Sequence, residues 1–451
     1  MNQVIVSKLL KERHITALKS ALETVQPADL AELLETLDEK ELPVVFRILP
    51  KEAAAETFTY LNTKMQQSLI EAFSDKELKE VLDELFVDDT VDIIEEMPAN
   101  VASRILENSN AESRRMINTI LNYPEDSVGS IMTVEYVKLQ KSMTVGGAIE
   151  LIRRVGTDKE TIYNCYVTEN RNLVGMVEVK DLLTSPDDKS IVDIMETNVI
   201  SMKTTDDKEE AAIMFNKYDV IALPVVDKQN LLVGIVTVDD AMDVMQEEAT
   251  EDIEKMAAIT PTDKPYLEIG IFDTFKSRIP WLLLLMISAT FTGMIITSFE
   301  DALKASVVLT AFIPMLMDTG GNSGSQASVT VIRGLALGEL DFKDFFKVIW
   351  KEMRVSVLCG LALSIVNFGK MYLVDMLLLK TPGLGVWEIA VVCMTLFIAV
   401  FVAKLVGCSL PLFAKKLKLD PAVMASPFIT TIVDALSLMI YFRIATLILK
   451  I

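Results

Sequence analysis

From Ile279 onward the chain carries five long apolar segments, roughly 280–299, 302–332, 348–379, 386–411 and 421–448. Each can cross a hydrocarbon layer of about 30 Å, which takes about 20 helical residues. Lipid offers the backbone no hydrogen-bond partner, so such stretches are restricted to helices. The connections orient them. Lys276 and Arg278, then Arg333, Lys343, Lys347, Lys351 and Arg354, then Lys415, Lys416 and Lys418 mark one face as cytosolic. The opposite connections hold Glu300, Asp301 and Lys304, then Lys380 and Glu388, with no such excess. The three tryptophans, Trp281, Trp350 and Trp387, fall at predicted span ends, where amphipathic rings prefer to lie. Five spans put the C-terminus outside. The opening residues MNQVIVSKLLKERH lack the apolar core of a signal peptide, which leaves the N-terminus cytosolic. We therefore expect a multi-pass protein of the inner membrane.

Charge divides the 451 residues as sharply as hydropathy does. Residues 1–275 carry 27 Lys or Arg against 53 Asp or Glu, and residues 276–451 carry 16 against 11. A net charge of −26 on the first part repels nucleic acid, whose recognition rests on Lys and Arg contacts to phosphate. Cations are its natural partners. His14 is the single histidine, and Cys165, Cys359, Cys393 and Cys408 have no zinc-ribbon or CxxC spacing, so a bound metal must be held by oxygen. No HExxH or Ser/His constellation supports an enzyme.

Polar groups within the apolar segments carry the functional signal, because an ionisable residue at membrane depth is costly unless it faces protein or water. In PMLMDTGGNSGSQAS, residues 314–328, Pro314 and the glycines interrupt an apolar helix beside Asp318, Asn322 and Gln326. That pattern fits either a close-packing helix face or packing beside a permeation path. In ASPFITTIVDALS, residues 425–437, Pro427 loosens the helix, and Thr430, Thr431 and Asp434 share a face at i, i+3 and i+4 spacing. Asp434 is either neutral, paired with Lys404 or Arg443, or a cation ligand, and we expect the last. Lys370, Asp375, Lys404 and Arg443 lie nearer the span ends, and most of them are expected to snorkel.

The acidic part reads as three pieces. Residues 1–125 form short amphipathic helices in which ADLAELLETLDEKELPVVFRILP and DDTVDIIEEMPANVASRILENS resemble each other, as in a small solenoid. Asp88, Asp89 and Asp92 put carboxylates on one turn there. Residues 126–238 hold a second repeat: IMTVEYVKL and IMETNVISM begin two copies, and NLVGMVEVKDLL and LLVGIVTVDDAM end them. Each copy reads strand, helix, two strands, helix. Residues 239–275 connect to the membrane part. Between Asp239 and Glu254 stand eight acidic residues and no basic one. Asp240, Asp243, Glu247, Glu251 and Glu254 share one face, and Met242, Met245, Ala249, Ile253 and Met256 an apolar one. Like charges at i and i+4 destabilise a helix, so this segment needs counter-ions.

The two copies resemble a tandem CBS pair, which makes ATP a possible ligand, although no phosphate-binding glycine loop is present. An acidic helical domain, a CBS pair, an acidic connecting helix and five spans, with the motifs PMLMDTGGNSGSQ and SPFITTIVDALSL, resemble the MgtE family of magnesium channels over essentially the whole chain. The implied architecture is multidomain: an all-α superhelical N-domain (1–125), an α/β CBS pair (126–238), a connecting or plug helix (239–275) and a five-helix membrane domain (276–451). The resemblance implies a homodimer with its pore on the two-fold axis, and a plug that closes the pore when Mg²⁺ bridges cytosolic carboxylates. It assigns Asp434 to the pore, and Glu56, Asp88, Asp92, Asp219, Asp240, Asp243, Glu248, Glu251 and Asp252 to cytosolic Mg²⁺ regulation. Mg²⁺ suits these residues, since it favours oxygen ligands and keeps its waters. The competing expectations are an ion-coupled cation carrier and a membrane-anchored CBS nucleotide sensor.

Overall fold

The computed structural model describes residues 3–12, 14–38, 40–262, 264, 266–267, 269–424 and 426–450. It divides into two units, Met1–Met245 and Gln246–Ile451.

In the first unit, short helices follow one another: α1 (Gln3–Lys11), α2 (Ile15–Leu22), α3 (Pro27–Glu35), α4 (Leu42–Phe46), α5 (Lys51–Thr59), α6 (Thr63–Ala72), α7 (Asp75–Leu82), α8 (Val87–Glu96), α9 (Ala99–Asn108) and α10 (Ala111–Ile120). Turn residues start several of them: Pro27 opens α3, Asn62 and Asn110 N-cap α6 and α10, and Ser74 with Glu77 forms a capping box on α7. None can bury its apolar stripe alone. Leu30, Leu34, Phe46, Phe58, Leu69, Ile70, Val91 and Ile105 interlock in one core, and Arg104 donates to the carbonyls of Ile70 and Phe73, tying α9 to the end of α6.

The two internal copies have the expected order. The first is β1 (Tyr136–Gln140), α11 (Val145–Val155), β2 (Thr161–Glu169), β3 (Asn172–Glu178) and α12 (Val179–Thr184). The second is β4 (Met202–Lys203), α13 (Lys208–Tyr218), β5 (Ala222–Val226), β6 (Leu232–Thr237) and α14 (Val238–Met256). In each, the first strand runs parallel to the second and the third antiparallel to it. The copies exchange their leading segments: Thr133 pairs with Ile235, and Glu196 with Met176. Glycine permits this. A Cβ on Gly175 would meet Met195 Sδ at 2.8 Å, and one on Gly234 would meet Met132 Sδ at 2.7 Å, so the VG dipeptide of each copy marks where the other copy's leading segment crosses.

The second unit contains α15 (Ile271–Ser298), α16 (Glu300–Ala305), a 3₁₀ stretch Val307–Phe312, α17 (Ile313–Ala336), α18 (Phe345–Lys370) running into a π-helical stretch Met371–Leu378, α19 (Val386–Lys416) and α20 (Ser426–Leu449). Among the described residues, four helical runs are long and apolar enough to cross a membrane: Ile271–Ser298, Phe342–Leu378, Val386–Lys416 and Pro421–Leu449. The fifth expected span is α17, a 24-residue helix that its polar residues keep out of that set.

Three expectations are corrected here. Residues 314–328 do not interrupt a helix. The chain breaks earlier, at 306–312, and Pro314 takes the second position of α17, where its missing N–H is not needed. Pro427 likewise stands in the first turn of α20 and loosens nothing further along. Finally, Lys404 and Asp375 do not snorkel. Lys404 is buried against Glu352, and Asp375 is buried with Lys370 Nζ 2.8 Å away. Residues five apart do not face each other on an α-helix; the π-helical turn brings Lys370 and Asp375 together.

Candidate functional site

The membrane site is built on two helices in very close contact. A Cβ on Gly321 would stand 3.0 Å from Thr430 Cγ2, and one on Gly324 would stand 2.9 Å from Ile429 Cγ2, so α17 and α20 approach at a distance only glycine allows. The hydroxyls of Thr430 and Thr431 donate back to the carbonyl of Pro427 one turn earlier, and the Thr430 methyl faces Gly321. With the glycines turned inward, Pro314, Asp318, Asn322 and Gln326, each four residues apart, form an exposed stripe along α17. Asp434 is half-exposed on α20, and the charge of Asp318 acts on it. A stripe of carboxylate and amide at membrane depth demands water, a cation or protein opposite it. Residues 314–328 thus have one face that packs and one that is polar and exposed.

The cytosolic cluster is assembled from residues far apart in sequence. Asp88 and Asp89 begin α8. Glu160 precedes β2, and its backbone N–H donates to the carbonyl of Glu135 at 2.9 Å. Asp240 lies in the first turn of α14, where the Thr237 hydroxyl donates to its Oδ2 at 2.6 Å. Burial and the like charges of Asp240, Asp89, Glu160 and Glu135 push the Asp88 carboxyl well above the usual carboxylate range. Its Oδ1 is buried with no hydrogen-bond partner among the described residues. Burial raises Asp89 to about 6, reinforced by Asp239 and Glu135. Burial, with Asp89, Asp239 and Asp240, raises Glu160 to about 8. Asp240 is raised to about 6 by burial, against the pull of the Thr237 hydrogen bond. Two like charges about 6 Å apart repel by about 3 kcal/mol at an effective dielectric of about 20, so a bare cluster of this kind is poised to take up protons or a cation.

Among the described residues no three carboxylates converge into a preformed cage. Donors of this kind fit a hydrated Mg²⁺ held through its waters better than a desolvated ion. Sequence reasoning reached Asp88 and Asp240 but missed Glu135 and Glu160, whose surroundings TVEYV and KETIY carry no signal. Glu56 is exposed on α5, Asp92 lies a turn beyond Asp88 on α8, and Asp219 ends α13 in the left-handed conformation, φ 51°. Neither Glu56 nor Asp219 is among the charges acting on Asp88. Asp243 is also raised, by burial and by Asp239.

Toward its other end, α14 departs from the expected picture. The expected apolar face is not the packed one: Ala241 and Val244 are buried, while Met242, Met245 and Ile253 are exposed. Lys255, one residue past the purely acidic run, donates to Glu251 at 2.5 Å and to Asp420 at 2.6 Å. Burial opposes its charge, but these two carboxylates outweigh burial and hold the ammonium protonated. Beside it, burial and the Asp420 charge raise Asp252 to about 6. Glu248 occupies the intervening turn of α14. Asp420, the lone acid in the Lys-rich connection after α19, was the missed signal here.

Comparison with known proteins agrees piece by piece. Residues 313–444 match the sequence model of the family described as MgtE, divalent cation transporter. Residues 25–126 match the MgtE intracellular N domain, and 128–187 and 191–247 match the CBS domain. The magnesium transporter MgtE of Thermus thermophilus is 36% identical over 99% of this chain and 98% of its own length. That of Bacillus subtilis is 33% identical over 97% and 95%. A crystal structure of the cytosolic domain of the Mg²⁺ channel MgtE in complex with ATP superposes with a TM-score of 0.51 at 34% identity, covering 54% of this chain and 99% of that one. With relatives this similar along nearly its whole length, and with a glycine-packed, carboxylate-bearing helix pair where the transporter family model matches, this chain belongs to the MgtE family of magnesium transporters.

Proposed function

We propose that this chain is a Mg²⁺ channel of the inner membrane whose conduction is shut down by cytosolic Mg²⁺. Magnesium transport is the activity of its family, and the protein is a multi-pass membrane transporter, not an enzyme. The observation that carries the finer reading is the polar stripe Asp318, Asn322 and Gln326 on α17, with Asp434 beside it on α20. One Asp434 is a poor holder for a divalent ion, and a two-fold axis supplies a second, so we place the pore between two copies of the chain. The basic connections favour an N-terminus in the cytosol and a C-terminus outside.

For gating, Asp88, Asp89, Glu160, Asp239 and Asp240 would hold one regulatory cation, and Glu251, Asp252 and Asp420 flank a second position on the membrane side of α14. Bound there, Mg²⁺ would supply charge neutralisation. Bare carboxylates repel and loosen α14 from its neighbours, whereas neutralised ones let it settle. Closure at high ion concentration then follows from the differential affinity of the compact state for the cation. The proposed regulatory role extends to Glu56, Asp92, Asp219, Asp243 and Glu248, the other acidic residues that the family resemblance assigns to it. The CBS pair is proposed to take ATP, as the cytosolic domain solved with ATP does.

The purified chain in liposomes tests all of this. Electrogenic Mg²⁺ flux that falls when Mg²⁺ is raised on the cytosolic side, from particles with the mass of two chains, is the expected result. Electroneutral flux coupled to H⁺ or Na⁺ would establish a carrier instead, and no flux with tight ATP binding would establish a sensor.

A further inference from the structure

Helices α18 and α19 each hold a charge that has no partner on its own helix. Glu352 is the one acidic residue of α18, and Lys404 is the one charged residue of α19 between Glu388 and Lys415. The fold brings them together. Lys404 Nζ lies 3.9 Å from Glu352 Oε2, and the side chains are only 6% and 12% exposed. The Cys408 thiol, one turn on, feels both charges.

A buried ion pair is weak grounds for stability, since apolar residues of similar volume commonly replace such pairs without loss, whereas removing one partner strands a charge. Its worth is better sought in position. Next to Lys404, Ala403 packs with Ile429 and Val433 of α20, and its carbonyl faces Gly324 of α17 at 3.1 Å from where a Cβ would stand. One turn later, Gly407 abuts the Gly324 carbonyl so closely that no Cβ fits. The Ala403 and Gly407 side of α19 therefore backs the two helices that carry Asp318 and Asp434, while Lys404 points to α18.

We propose that Glu352 and Lys404 are a positioning pair for ion conduction. Their attraction fixes α19 against α18 so that Ala403 and Gly407 stay seated on Gly324, holding α17 and α20 at the spacing their carboxylates need. The inference rests on the reading of Asp434 as the pore carboxylate.

Glu352→Gln, Lys404→Met, the double variant, the exchanged pair Glu352→Lys with Lys404→Glu, and Lys404→Arg are reconstituted as full-length protein. Two quantities are read: Mg²⁺ flux per inserted protein, and the distance distribution between spin labels at Val329 on α17 and Met439 on α20, both exposed. Each single neutralisation is expected to lower flux at least tenfold and to broaden the label distribution. Lys404→Arg, and the exchanged pair where it folds, should return flux to within about threefold of the parent. The double variant is expected to recover thermal stability without recovering flux. Parent-like flux and label spacing in both single variants would overturn the proposal, as would a loss confined to the thermal midpoint. Absence of flux in the parent would overturn the transport reading alone, because the labels report the pair independently; an unchanged label distribution would overturn the pair.

Discussion

The two units treat buried charge in opposite ways. In the membrane unit Lys404 meets Glu352, Lys370 meets Asp375, and Lys255 sits between Glu251 and Asp420. In the cytosolic unit Asp88, Asp89, Glu160 and Asp240 meet one another. Opposite charges neutralise each other at all times and hold helices in register. Like charges are incomplete, and their energy depends on what arrives from solution. The exceptions inside the membrane unit are Asp252 with Asp420 and Asp318 with Asp434, and on this contrast those like-charged pairs belong with the cation-binding groups rather than with the structural ones.

The contrast can be broken most decisively at Asp434. Asp434→Asn keeps the shape of the side chain and removes its charge, so Mg²⁺ flux in liposomes should fall by about a hundredfold, equivalent to about 2.7 kcal/mol, while insertion and particle mass stay as in the parent. Parent-like flux would make Asp434 a structural carboxylate after all.

A smaller effect is expected from the cytosolic side. Neutralising Asp240, Asp243, Glu248, Glu251 and Asp252 together should leave maximal flux within about twofold and raise the internal Mg²⁺ needed for half-closure about tenfold, because several weak sites act jointly. Equal inhibition of parent and variant would reduce the acidic face of α14 to a solvated surface.

Acidity gives the smallest shift and the sharpest sign. Asp89 and Asp240 at about 6 and Glu160 at about 8 lie above their ordinary values in the folded state. Their contribution to stability is therefore fully present below the ordinary carboxylate range, about 4, and is lost as pH rises through 6 to 8. In chelator, the cytosolic unit of the full-length protein should unfold a few degrees lower at pH 8 than at pH 6, about 1–2 kcal/mol after allowing for solvent screening. Millimolar Mg²⁺ should restore more at pH 8, since it competes with protons for the same carboxylates. Scanning calorimetry reads both, and an unfolding temperature that rises with pH in chelator would contradict the cluster.

What the sequence by itself determined is what short periods along the chain encode. Apolar stretches from Ile279 onward required helices, the two internal repeats required paired modules, the charge split required cationic partners, and the motif around Asp434 pointed to transport. Helix breaks were less legible: proline within a helical pattern reads as an interruption, but Pro314 and Pro427 stand in first turns, where the lost N–H has no cost. Only the tertiary structure decided which charges meet. Glu160 and Asp88 are 72 residues apart, Lys255 and Asp420 are 165 apart, and Glu352 and Lys404 are 52 apart. No local pattern records such pairs, because whether a buried charge faces a like or an unlike neighbour depends on how separate helices cross, and that is set by packing contacts such as Gly324 against Gly407.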